Sequence, residues 1–389
     1  MTQADPVIAG FAELPNRVKS GRSAHDLAGE VTATLLEETG LRPGDIDGMA
    51  LTLALSEATN PFYAADMCVA LGVSPQWLTL SALGGCSSLS ALAAAVTAVR
   101  NGSCRIALVL SADGPTTVRR GFASAWRDEF QVPQAAARPP AAFGLLMNRY
   151  EHEYGSNDEA LAKIAVTQRA HALMNPNALP GLRHPLTVDE YLASRMIADP
   201  LRLLDCVMFC DGANALLVTS QSEARRRGWT DTVVALSYAE ITNPNPTDPC
   251  PTIFDSGFAV IAERLFGQAR MKPRDIGMFY PYDDFTIAVQ LQLEQLGFCE
   301  RGASAAYVRD HDLSYSGTLP LNTSGGQISA GQPGQAGGGV NLVEAVRQLS
   351  GKAGERQVKH RQTALVTGIG TIPYGRNWTT SCAMILGAG

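Results

Sequence analysis

The chain has 389 residues, 46% hydrophobic and 17% charged, with a formal net charge of -6. That is ample for a large core, in two similar units or in one big domain with an insertion. It excludes a nucleic-acid surface: no run of Lys and Arg interleaved with aromatics occurs, and EARRRGW (223–229) reads instead as the basic end of a surface helix.

In chain order, PVIAGFAEL (6–14) reads as a strand and 24–39 as a helix. GLRPGDIDGMALTLALSE (40–57) brings a basic residue, Pro, a spacer pair ending in Asp, then Ile and an apolar strand. The Asp turns or caps the chain before that strand. A helix over 61–72, the strand WLTL, a helix over 87–101 and the strand RIALVLSAD (105–113) follow. Residues from about 115 to 210 read as helix and loop, and ANALLVTS (213–220) returns to strand. The order then repeats: TVVALSYAEI (232–241), a helix near 255–268, RMKPRDIGMFYPYDDFT (270–286), and a helix over 284–297. LPLNTSGG (319–326), a helix over 338–350, TALVTGIG (363–370) and SCAMILGA (381–388) complete the second copy.

The chain therefore reads as two related α/β halves, 1–114 with 211–222 and 223–389, with 115–210 inserted over the core. Insertions of that length build substrate pockets. The continuous apolar runs IALVLS and TALVTG indicate strands buried on both faces. The N-terminus has no basic segment followed by a long apolar stretch, and no span of about twenty apolar residues occurs. The expectation is a cytoplasmic protein with no membrane contact. Of 8 cysteines only Cys206 and Cys210 lie close, with no second pair or suitably spaced histidines after them, so neither a disulfide framework nor a metal is expected.

Cys86, in SALGGCSSLS (81–90), sits where a strand turns into a helix. A helix N-terminus favours thiolate, Gly84 and Gly85 allow a tight turn and close approach, and the Cys86 N–H can meet a developing oxyanion. The alternative is a small buried residue in a tight turn. The glycine-rich stretch LNTSGGQISAGQPGQAGGGV (321–340) lacks the Lys of a triphosphate loop and marks close backbone approach to a ligand, or a flexible loop. In FYPYDDFT (279–286), Tyr282 can donate a hydrogen bond or exchange a proton, and Asp283 or Asp284 caps the following helix. If a pseudo-twofold axis relates the halves, Cys86 and the loop at 325–337 face one site.

The repeat together with GGCSS, NTSGGQISAGQPGQAGG and LVTGIG resembles the thiolase superfamily over essentially the whole chain. NRYEHEYG (148–155), HALMNPNA (171–178) and PLRLLDCVMFCDGANALLVTS (200–220) resemble its sterol carrier protein x-like branch, including acyltransferases that act with a small OB-fold, zinc-ribbon partner. The resemblance implies a five-layer αβαβα fold with a mixed five-stranded sheet in each half. It implies an acyl-cysteine on Cys86, a coenzyme A thioester as substrate with no covalently bound cofactor, and a homodimer paired through the strand near the nucleophile. An OB-fold, zinc-ribbon partner would be a separate polypeptide.

Against the family pattern, Gln332 stands where the Gly-His-Pro histidine belongs, Tyr282 leads the Asn-Glu-Ala-Phe position, and Val366-Thr367-Gly368 replaces the Cys-x-Gly motif. Cys382 is a doubtful substitute for the lost cysteine. Gln is no base and Thr a poor one. The expected catalytic residues are thus Cys86, Tyr282, Gln332 and Gly368, with Asn322, Ser324, Gly325, Gly326 and His152 binding substrate. His152, His171 and His184 are candidates for the missing base, and Arg119 and Arg120 for coenzyme A phosphates. Acyl transfer in the Claisen or retro-Claisen sense leads. Retro-aldol cleavage of a CoA-linked, steroid-type side chain is the alternative, and a non-catalytic scaffold subunit is a third reading.

Overall fold

The structure, a computed structural model, describes residues 5–118, 139–244, 253–359, 362–371 and 378–389. The first half contains β1 (Pro6–Glu13), α1 (Ala24–Thr39), β2 (Gly48–Thr52), α2 (Tyr63–Leu71), β3 (Trp77–Ser81), α3 (Ser87–Arg100) and β4 (Ile106–Asp113). The insertion supplies α4 (Pro139–Tyr154), α5 (Asp158–Leu173), α6 (Val188–Leu192) and a hairpin of β5 (Met196–Ala198) and β6 (Leu201–Arg202). β7 (Gly212–Ser220) and α7 (Gln221–Arg227) lead to the second half. That half runs through β8 (Val233–Thr242), α8 (Gly257–Ala269), β9 (Met278–Tyr280), α9 (Thr286–Gln295), α10 (Ser304–Asp310), α11 (Gly326–Ala330), α12 (Gly337–Leu349), β10 (Thr363–Ile369) and β11 (Thr380–Ala388).

The repeated Pro-x-Asp-Ile segments fold alike. Each forms a 3-10 turn, Pro43–Asp45 or Pro273–Asp275, whose Asp carboxylate accepts the N–H of the basic residue before the Pro, Arg42 at 2.9 Å and Lys272 at 2.8 Å. Each turn delivers the chain into a strand paired in parallel with its neighbour, β2 with β4 and β9 with β10. The strand order is β3-β2-β4-β7-β1-β8-β11-β10-β9. The two half-sheets meet at β1 and β8 through the Ile8–Val233 pair, so five strands and four strands form one sheet.

Among the described residues the second half shows four strands, not the five that the resemblance implies. LPLNTSGG touches β9 only at the Phe279–Leu321 bridge, because Asn322 takes φ 45° and turns the chain toward α11. α3 and α12 pack between the half-sheets, α1 covers the outer face of the first and α8 that of the second, which gives five layers. Three apolar cores follow, one outside each half-sheet and one between them. β4 is buried at every position, as its unbroken apolar run requires.

Below the site, Glu344 of α12 is fully buried and bonds Arg347 (2.7 Å) and Arg356 (3.0 Å); Arg347 also bonds Glu13 of β1 (2.8 Å). Burial alone would raise the Glu344 carboxyl, but the two guanidinium groups outweigh it and hold the group at about 2. This network ties the two halves together. Glu344→Gln leaves two arginines without their shared anion and is expected to cost about 3–5 kcal/mol of unfolding free energy, measured by denaturant unfolding. In the wild type the same contribution is fully present above the ordinary Glu value of 4.5 and is lost as pH falls toward about 2; the variant should lack that part of the acid transition.

Candidate active site

Cys86 closes the 3-10 turn Gly84–Cys86 and precedes α3. Its side chain is fully buried, and its Sγ faces the Thr380 carbonyl at 3.5 Å. Cys382 of β11 lies beside it, Sγ 3.8 Å from the Cys86 carbonyl oxygen. Gly368 pairs with Cys382 across β10 and β11, and a Cβ on Gly368 would stand 2.8 Å from both the Cys382 Sγ and the Cys86 Cα. Gly368 therefore acts by being small: it lets β10 press against the cysteine turn.

Two expectations about Cys86 change here. Its N–H is spent on the Leu83 carbonyl (3.2 Å) inside the turn, so it is not free for an oxyanion. Burial, and after it the Cys382 thiol, pushes the Cys86 thiol well above the ordinary range, against the pull of the helix N-terminus. Among the described residues no side-chain base contacts its sulfur.

Tyr282 is the neighbour of that turn. Its ring occupies the space a Cβ on Gly85 would need, and its hydroxyl accepts a 3.1 Å hydrogen bond from the Gln332 Nε2. The backbone of Tyr282 is held on both sides: its N–H donates to the Thr367 hydroxyl (2.8 Å), and its carbonyl accepts from the Gln292 Nε2 (2.8 Å). The Thr367 hydroxyl in turn donates to the Gln292 Oε1, so Thr367 orients and is not a base. Burial raises the Tyr282 phenol well above its ordinary value, with Asp284 adding to the rise and the Gln332 bond opposing it. Gln332 itself is fixed by its backbone, which bonds Met208 O and Cys210 N (2.9 and 3.0 Å). Thus Cys86, Tyr282, Gln332 and Gly368 come together from four segments.

The glycine-rich loop is built on Asp283. This buried carboxylate accepts the N–H groups of Gln327 (3.0 Å) and Ile328 (3.2 Å), the Gln168 amide (2.9 Å) and the Asn341 amide (3.0 Å). It caps α11 across the site, whereas α9 begins at Phe285 with no side-chain cap; the expectation that Asp283 or Asp284 caps the following helix is corrected. The reason is tertiary: Gly326 (φ 59°) leaves no room for a Cβ beside the Asp283 carboxylate, so loop and carboxylate close on each other. Gly325 (φ 103°) packs on Ala172 of α5 in the same way. Asn322 donates to the Pro281 carbonyl at 3.1 Å, and its Oδ1 and the Ser324 Oγ are buried without partners. Asn322 and Ser324 thus retain polar atoms available to a ligand.

The histidines do not supply a base. His152 is exposed at the end of α4 and makes no hydrogen bond to this cluster, so its expected place in the substrate site is not what the structure presents. His171 is buried; its Nε2 accepts the Tyr315 N–H (3.1 Å), which leaves Nδ1–H to donate to the Asn322 carbonyl (3.2 Å), and burial lowers its pKa. It is a neutral strut for the loop. His184 is exposed and meets Arg169 at 3.2 Å. Arg119 and Arg120 lie outside the described residues. Among the described residues no group of three or more His, Cys, Asp or Glu is arranged to hold a metal, and no helix is long and apolar enough to cross a membrane.

Asp284 was read from the sequence only as a candidate cap of the following helix. Its Oδ1 is buried with no partner, and burial together with Asp283 raises the group well above the ordinary carboxylate range. Asp283→Asn replaces an acceptor with a donor against converging N–H groups and is expected to cost about 1–3 kcal/mol, read as a lowered unfolding midpoint. Burial lifts Asp283 from 3.8 to about 6 despite its four bonds. Its contribution therefore makes the wild type less stable as pH rises through that window, a slope the variant should lose.

Residues 13–222 match the family of the thiolase N-terminal domain, and residues 245–388 the thiolase C-terminal domain-like family. The chain is 30% identical to a steroid side-chain-cleaving aldolase of Thermomonospora curvata, across 88% of this chain and 90% of that one. It is 30% identical to an acetyl-CoA acetyltransferase of Methanothermobacter thermautotrophicus, across 90% and 91%. The solved structure of the Ltp2-ChsH2(DUF35) aldolase superposes with a TM-score of 0.86 at 28% identity, covering 99% of this chain and 98% of the other. With its two halves matched in order and its α/β layers shared with these relatives, the chain belongs to the thiolase family.

Proposed function

We propose that this chain cleaves the carbon–carbon bond between Cα and Cβ of a CoA-linked β-hydroxy acid, a retro-aldol reaction, by proton transfer at Tyr282. The observation that carries this reading is the Tyr282–Gln332 hydrogen bond of 3.1 Å, seated against a cysteine turn whose sulfur, among the described residues, no base contacts. A phenol kept protonated by burial is a proton donor suited to an enolate carbon. The Gln332 amide has a second hydrogen, not used among the described residues, for a thioester oxygen. The aldolase relatives support this order of preference, and the acetyltransferase relative supports a CoA thioester as substrate. Exposed Met208 and Phe209, bonded through their segment to the Gln332 backbone, suit a bulky apolar acyl group.

The second reading, an acyl-enzyme on Cys86, is favoured by its place ahead of α3 with Cys382 alongside. The wider proposal retains the division into 1–114 with 211–222, 115–210 and 223–389, and a cytoplasmic location. It includes a homodimer through β3, a free edge strand with Leu78 and Leu80 exposed, and a small second polypeptide of the kind implied by the two-component aldolase structure.

The test is exchange of the α-hydrogens of propanoyl-CoA in D2O, followed by mass spectrometry, with intact protein mass read alongside. Wild type should exchange. Tyr282→Phe should lose about 100-fold, and Cys86→Ser should retain the activity with no acyl adduct in either protein. A propanoyl adduct on Cys86, with exchange abolished in Cys86→Ser, would replace this reading with acyl transfer.

A further inference from the structure

We infer that Asp284 is the base of this site, taking the proton of the substrate hydroxyl while Tyr282 serves the carbon. This rests on the retro-aldol reading above. Three observations point to it. First, the segment carrying Asp284 is held in place: the Asp284 carbonyl accepts the Val207 N–H (3.2 Å) and Phe285 pairs with Cys206, with a bend in the chain at Asp284 itself. Asp283 is turned to the α11 N–H groups, while the Asp284 charge reaches Tyr282 and Cys206. Second, Asp284 Oδ1 is buried and unpartnered, while Asp283 beside it accepts four hydrogen bonds. A buried carboxyl oxygen left open is costly unless something arrives to fill it. Third, among the charged groups around Tyr282, Asp284 acts on it most strongly, yet no hydrogen bond joins the two side chains. A hydroxyl placed between them would satisfy both.

The surroundings favour a base of raised affinity for protons. Asp283 and Tyr282 lie on its own segment and Cys206 on the segment paired against it, all neutral or acidic, and only the backbone N–H groups of Asp284 and Phe285 oppose the rise. Burial and the Asp283 charge raise the Asp284 carboxyl well above the ordinary carboxylate range, which strengthens it as a base once it is ionised.

The step balances within the site. The Asp284 carboxylate takes the hydroxyl proton, the Cα–Cβ bond breaks, its electron pair becomes the thioester enolate, and the β-carbon becomes a carbonyl. The Tyr282 phenol protonates Cα. The Asp284 carboxylic acid then returns its proton to the phenolate, so both groups end as they began, with no oxidant or reductant. In reverse sense, exchange at Cα needs the same pair: Tyr282 takes a proton from carbon as it passes its own to Asp284.

The experiment extends the propanoyl-CoA exchange in D2O to Asp284→Asn and Asp284→Glu across pH, with thermal unfolding as a control. Asp284→Asn should unfold no earlier than wild type, since it removes a buried acid, and should exchange about 100-fold more slowly. The wild-type rate should climb with pH as Asp284 ionises, the Asn variant should lose that climb, and the Glu variant should recover part of the rate with the climb displaced. If Asp284→Asn exchanges within twofold of wild type with the same pH profile while Tyr282→Phe is inactive, the role of Asp284 is overturned and the retro-aldol reading stands. If wild type does not exchange, the reading of the reaction itself falls.

Discussion

One buried carboxylate holds this site together. Asp283 sits at the end of β9 and receives hydrogen bonds from the insertion through Gln168, from the glycine-rich loop through Gln327 and Ile328, and from α12 through Asn341. Those elements are distant in sequence, and nothing else on the described chain joins all of them at one atom pair. The negative charge is spread over four donors, which is how a carboxylate survives burial. With Asp283 facing the loop, its neighbours face the other way, and Tyr282 is delivered to the cysteine turn. The glycines that surround it, Gly85, Gly326 and Gly368, are small where the backbone and the reactive side chains must close to contact.

The chemistry follows from what burial does to each group. Burial raises the Cys86 thiol well above its ordinary range, and among the described residues no side-chain base contacts its sulfur to oppose that. A buried phenol also stays protonated, but that is the useful form for delivering a proton to carbon. Gln332 donates to the Tyr282 hydroxyl and so orients an oxygen at this site. The same desolvation raises Cys86, Tyr282 and Asp284 alike.

Much of the fold was readable because it is written twice. The paired Pro-x-Asp-Ile turns, the strand-helix order and the unbroken apolar run of β4 all follow from local rules. LPLNTSGG misled because its alternation is that of a strand, while Asn322 at φ 45° ends any pairing after Leu321. Cys86, Tyr282, Gln332 and Gly368 were identifiable from motif context, and they do converge. The ionisation of Cys86 was not, because a helix N-terminus is visible in sequence and desolvation is not. Asp283 was misassigned to the nearest helix because a cap that reaches across more than forty residues has no local signal. Among the histidines, chemistry alone gave no ranking; burial separates His171, spent on two backbone groups, from exposed His152.

The account turns on Cys86 being an uncharged thiol in the native site. The direct measurement is the ultraviolet thiolate absorbance of the full-length wild type minus that of Cys86→Ser, titrated from neutral to alkaline pH. The structure requires that no thiolate belonging to Cys86 appear within or below the ordinary thiol range. A thiolate step at or below neutral pH, absent from Cys86→Ser, would mean that the site activates sulfur after all, and would contradict the account.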